Sequence, residues 1–81
     1  MRRMMNDLTQ YIMMPKIRYA IGIGTYASFD IAAYDCFMRD IISIVWYVTS
    51  DRDLALRMCE RFNRYQLSPG HLKEAILDMI E

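Results

Sequence analysis

Arg57, Arg61 and Arg64 recur at intervals of four and three residues, so a helix would carry all three on one side, with Arg52 a little way round. A row of guanidinium groups can grip phosphates or a partner's carboxylates through paired N–H donors. The same segment also supplies internal partners. Asp53 stands four residues before Arg57, and Glu60 four before Arg64, the favourable order for an ion pair. A self-paired, solvated face is therefore the plainer expectation, with Arg52 and Arg61 the freest of the row.

Gly22-Ile23-Gly24-Thr25-Tyr26-Ala27 has the spacing of a dinucleotide-binding turn, in which glycines let a pyrophosphate approach a helix N-terminus. Such a turn works inside a βαβ unit. No second parallel strand follows here, so a glycine turn without a cofactor is expected. The one histidine, His71, and the two cysteines, Cys36 and Cys59, fall short of a four-ligand structural zinc site. A Cys59–His71 nucleophile pair would lack a third, orienting group. The sequence offers no nucleophile–base–orienter set, so no catalytic residue, no metal ligand and no cofactor are expected, and the chain is read as non-enzymatic.

Six tyrosines spread along the chain, of which Tyr19 and Tyr26 flank the two glycines. Tyrosine beside arginine is the composition of protein-binding hot spots and also suits base stacking. The candidate partner-binding residues are accordingly Arg18, Tyr19, Tyr26, Arg57, Arg61 and Arg64.

The elements that must position these residues read mainly as helices. Met4, Met5, Leu8, Tyr11 and Ile12 fall at helical spacing, predicting a first helix over 2–13 that Pro15 stops. Five of the eight methionines lie in the first fourteen residues, and methionine is over-used at adaptable binding faces as well as in cores. Residues 16–27 alternate Ile17, Tyr19, Ile21 and Ile23 with Lys16, Arg18, Ala20 and Gly22, a period of two that predicts one strand or an extended loop. The stretch 29–49 is apolar almost all the way round a helix, with Asp35, Arg39, Asp40 and Ser43 as one narrow polar stripe. It is expected to be the central helix. Ser50 with Asp53 resembles a capping box and opens a third helix over 51–66, and Ser68-Pro69 opens a fourth that runs to the C-terminus. A short connection makes those two antiparallel. The expected fold is a small three- to four-helix bundle forming one domain over 1–81.

Size and charge narrow the function classes. A chain of 81 residues buries only about 60–65% of the surface it exposes when unfolded, and such scaffolds often rely on oligomerisation. Ten basic and ten acidic residues cancel, which removes long-range attraction to nucleic acid or anionic membrane and leaves little repulsion between copies. The 31–48 stretch is the only transmembrane candidate, and three charges inside it argue against that use. A fourth helix bearing Glu74, Asp78 and Glu81 would repel DNA. These features predict a cytoplasmic module that binds a larger protein as an inhibitor or adaptor and self-associates as a homodimer. Nucleic acid or a phosphorylated ligand, held by the arginine row and tyrosine stacking, is the alternative partner.

Overall fold

The structure, a computed structural model, describes residues 9–80. It corrects the expected helical bundle. The chain forms a three-stranded antiparallel sheet followed by two helices: β1 (Thr9–Ala20), β2 (Gly24–Asp35), β3 (Asp40–Thr49), α1 (Arg52–Arg64) and α2 (Leu72–Ile80). The strands lie in the order β1-β2-β3, a simple meander.

The predicted central helix over 29–49 is two strands and a turn. A continuous apolar run cannot be assigned to helix or strand by periodicity alone. Its composition decides the matter: Ile31, Ile41, Ile42, Ile44, Val45, Trp46, Tyr47, Val48 and Thr49 are β-branched or aromatic and prefer a pleated surface. The break comes at Asp35, whose carboxylate accepts the N–H groups of Phe37 (2.9 Å) and Met38 (3.1 Å). Its carbonyl accepts the N–H of Arg39 at 2.7 Å, and Arg39 takes a left-handed conformation at φ 59°. An aspartate that hydrogen-bonds the backbone two and three residues on is a turn former. Cys36, expected in a helix, sits exposed in this turn.

The 16–27 segment is neither a single strand nor a loop. It holds the end of β1, a tight turn and the start of β2. The N–H of Ile23 donates to the carbonyl of Ala20 at 3.1 Å, while Gly22 and Gly24 have φ of 88° and 91°. Only glycine reaches that region without strain, so the two glycines serve a hairpin and not a pyrophosphate. Pairing then runs without interruption from Ala20↔Gly24 to Thr9↔Asp35. Pro15, expected to stop a helix, lies inside β1, an edge strand, where a missing ladder donor is tolerated. Of the predicted first helix, residues 9–13 are strand, and the remainder lies outside the described residues.

The two helices begin and end close to their expected places because their signals are local. Asp51, one residue after the expected Ser50, caps α1 by accepting the Leu54 N–H at 3.2 Å. Ala55, Met58, Cys59 and Phe62 form the buried stripe of α1. Gln66, left-handed at φ 53°, turns the chain after the helix. A 3-10 turn at Pro69–His71 leads into α2, which buries Leu72 and Ile76.

Both helices serve one face of the sheet. Tyr11, Ile31 and Ala33 join Met58, Cys59, Phe62, Leu72 and Ile76 in a single core. The Tyr11 and Phe62 rings meet edge to face, 5.7 Å apart. Asn63 clasps the backbone of β1: its Oδ1 accepts the Tyr11 N–H at 2.7 Å, and its Nδ2 donates to the Tyr11 carbonyl at 3.1 Å. A side-chain amide thus takes the place of a neighbouring strand at this edge. The Tyr11 hydroxyl donates to the Leu67 carbonyl. The molecule is long, 56 × 27 × 18 Å, because the β1–β2 hairpin runs on past the helices.

Ile31 is fully buried, whereas Ile17 in the hairpin is 70% exposed. Ile31→Ala is expected to cost about 2–5 kcal/mol of unfolding free energy in urea titration, and Ile17→Ala less than about 0.5 kcal/mol.

Candidate interaction surfaces

The face of the sheet that the helices leave alone is organised by one buried carboxylate. Directly paired residues share a face, so Met14 and Asp30, Lys16 and Ser28, and Arg18 and Tyr26 point to the same side. In β3 the register shifts: Phe29 pairs with Thr49, but Ile31 pairs with Val45. Trp46, Tyr47 and Val48 therefore stand opposite Asp30 alone, a bulge with two extra residues. Tyr47 adopts φ 57°, and its N–H donates to Asp30 Oδ1 at 2.8 Å.

Asp30 is fully buried, and burying a lone charge is costly unless it is paired. Two cations from β1 answer it. Lys16 Nζ lies 3.8 Å from Oδ2, and Arg18 Nη2 lies 3.7 Å from Oδ1. Arg18 Nε also donates to Ser28 Oγ at 2.9 Å. The aromatic pair roofs the cluster. The Lys16 ammonium lies 4.6 Å from the centre of the Trp46 ring, and the Arg18 guanidinium 3.6 Å from that of Tyr47. Among the described residues, Oδ2 of Asp30 has no hydrogen-bond partner, and Lys16 is the cation beside it. The cluster ties β1 to β3 across β2.

Beyond it the hairpin is an arm without support from either helix. Ile17, Tyr19, Ile21 and Ile23 are 70%, 73%, 93% and 73% exposed. Ile17 and Tyr19 lie on the helix side of the sheet, and Tyr26 on the other side, opposite Arg18.

The structure divides the six candidate contact residues into separate groups. Arg18 belongs to the Asp30 cluster and its side chain is mostly buried. Tyr19 and Tyr26 lie on opposite faces of the arm. Arg57, Arg61 and Arg64 lie on α1, at the Tyr11 end of the sheet. Tyr19 is eight residues along β1 from Tyr11, about 27 Å at the usual rise of a strand, so the arginine row and the arm tyrosines do not form one platform. The predicted pairs Asp53–Arg57 and Glu60–Arg64 are absent: among the described residues, no carboxylate lies within 4 Å of Arg57, Arg61 or Arg64. Arg61 instead lies over the Tyr65 ring at 5.6 Å.

Two adjoining hollows flank this row. One, of about 430 Å³, is lined mainly by Phe62, Leu67, Ala75 and Met79. The other, of about 340 Å³, is lined by Arg57, Glu60, Arg61 and Arg64. They share Arg61, Tyr65 and Met79. Among the described residues there is no group of three potential metal ligands, and no helix is long and apolar enough to cross a membrane.

Sequence reasoning missed Asp30, Lys16, Trp46 and Tyr47, because Asp30 reads as a helix start when 29–49 is taken as a helix. The signal was present in the strand-like alternation. Once the glycines fix the hairpin, Lys16 and Arg18 fall on one face beside Ser28 and Tyr26, and the next residue on that face is Asp30.

No protein-family model matches this chain, and neither a curated protein nor a solved structure matches it.

Asp30→Ala leaves the mostly buried Arg18 without its carboxylate and is expected to cost about 2–4 kcal/mol in urea titration. Lys16→Ala, which removes a half-exposed partner, is expected to cost under about 1 kcal/mol. Burial also pushes the Cys59 thiol up from 9.0 to about 11, helped by the charge of Glu60, and the Tyr11 hydroxyl from 10.0 to about 12. The folded chain keeps these protons where the unfolded chain has released them. Stability is therefore lost as pH rises from about 9 to about 12, and a Tm series should show the fall, shallower in Tyr11→Phe.

Proposed function

We propose that this chain is a small, non-enzymatic protein-binding module that occupies a surface of a larger protein, as an inhibitor or adaptor does, and that the β1–β2 arm is the element it inserts. The observation that carries this reading is the arm itself. Four large side chains, Ile17, Tyr19, Ile21 and Ile23, are each at least 70% exposed within seven consecutive residues. A soluble monomer rarely leaves so much contiguous apolar surface in water unless something covers it. Each isoleucine that becomes fully buried gains about 1.5–3 kcal/mol.

The arm suits insertion. Its backbone is already paired from Ala20↔Gly24 inward, so little chain entropy is lost on docking. Tyr19 adds a broad ring with a polar tip, the commonest kind of hot-spot anchor. The Asp30 cluster at its base braces the arm against the body of the protein. Balanced charge lets a second copy be the surface as well, giving a homodimer through the same arm. We place the module in the cytoplasm, supported by two unpaired cysteines, one of them exposed.

The test compares tagged wild-type chain with Ile21→Asp/Ile23→Asp, whose sites are too exposed to disturb the core. After nuclease treatment, the wild type is expected to retain a stoichiometric protein partner, or a second copy by light-scattering mass. The variant should lose that partner at least tenfold while keeping its Tm. Equal retention by the variant, or retention only of nucleic acid that washes off at high salt, would overturn the proposal.

A further inference from the structure

We propose that the paired hollows between α1 and α2 form one composite groove for an acidic peptide segment of a partner protein, with an apolar anchor beside its acidic residues. This site lies at the end of the molecule opposite the arm tip and stands independently of the function proposed for the arm.

Arg57, Arg61 and Arg64 sit at spacings that normally find partners, and Asp53 and Glu60 are correctly placed to supply them. Yet no carboxylate lies within 4 Å of any of the three among the described residues. Glu60 lines the same hollow without pairing, which leaves a net positive concavity of about 340 Å³. Guanidinium forks bind carboxylates in bidentate geometry. Arg61 is already steadied over the Tyr65 ring, so less side-chain freedom is lost when it binds.

The second half of the groove sets the rest of the ligand's chemistry. It is floored by Phe62, Leu67 and Met79, holds about 430 Å³ and joins the cationic half through Arg61, Tyr65 and Met79. That space takes a large apolar side chain. Asp78 lies on its wall, so acidic residues are disfavoured there and drawn to the arginine end, which fixes the direction of the bound segment.

The same features disfavour other occupants. A nucleic-acid backbone would meet Glu60 and Asp78 and has nothing to fill the apolar half. This chain's own acidic and apolar turn, Asp35 to Asp40, is also a poor fit for a second copy's groove. Its Asp35 carboxylate is occupied by the Phe37 and Met38 amides, and Arg39 brings the wrong charge.

The test is fluorescence polarisation with the labelled peptide Asp-Glu-Asp-Ser-Phe-Leu-Gly, titrated with the full chain at low and at physiological salt. Saturable binding is expected, weakened at least tenfold by Arg57→Glu/Arg64→Glu, two exposed positions whose change leaves the core intact. A peptide with Ser in place of Phe and Leu should also bind at least tenfold more weakly. The arm variant Ile21→Asp/Ile23→Asp should bind like the wild type, which keeps this result separate from the fate of the arm proposal. The proposal is overturned if the peptide does not saturate, if the Ser peptide binds equally well, if the charge reversal has no effect, or if single-stranded oligothymidylate displaces the peptide at equal concentration.

Discussion

The architecture depends on a mismatch of lengths. Strands of 12 residues extend about 40 Å, whereas helices of 13 and nine residues extend about 20 and 14 Å. Two such helices can cover only the open end of one sheet face. Everything that follows from this is visible in the burial pattern. β2 is buried from Ser28 to Ala33, where neighbours stand on both sides, and exposed at Thr25 and Tyr26, where the arm has left the helices behind. The core is a cluster at one end of a long molecule, and the other end is held by backbone hydrogen bonds and by Asp30.

Asp30 joins all three strands on the face that the helices do not cover. A buried ion pair is weak evidence for stability, since desolvation offsets most of the attraction. Its better-attested use is to specify register, and the geometry here suits that use. Lys16 and Arg18 reach Asp30 only if β1 keeps its present pairing, and the Tyr47 N–H reaches it only if β3 carries the two-residue bulge. A slip of one residue would send both cations to the opposite face. Because the bulge adds two residues, Val45 and Thr49 keep the side that the alternation assigns them, and a Trp-Tyr pair is gained as a roof. The same side chains close the polar cluster and give the uncovered face its aromatic surface, with Trp46 and Tyr47 both more than half exposed.

The C-terminal half was legible in the sequence because its signals act over one or two turns. Caps, a proline at a helix start and an apolar stripe at helical spacing fix α1 and α2 without reference to the rest of the chain. The sheet was not legible, because pairing is non-local. The alternation in 16–27 reads as one strand or an extended loop, whereas the segment holds the end of β1, a turn and the start of β2, and β2 continues into a stretch whose unbroken apolar character imitates a buried helix. The Asp35 turn that divides that stretch reads equally well as one end of an i, i+4 ion pair with Arg39. The candidate residues fared according to the same division. Arg57, Arg61 and Arg64 share a face, as their spacing required. Whether they pair with Asp53 and Glu60 depends on rotamers that spacing does not determine. Arg18 reads as a partner-binding residue in the sequence because Asp30, the group it answers, becomes its neighbour only after the hairpin closes.

Docking through the arm, as proposed, would set it apart from a mere overhang. The most direct measurement places a photo-crosslinking amino acid at Ile21 in the cell, with Lys73 on the outer side of α2 as the comparison site. A docking arm should give one discrete adduct at Ile21, either with a single larger protein or with a second copy, and none of comparable yield at Lys73. Equal labelling of many proteins at both sites, or no adduct at Ile21, would contradict it.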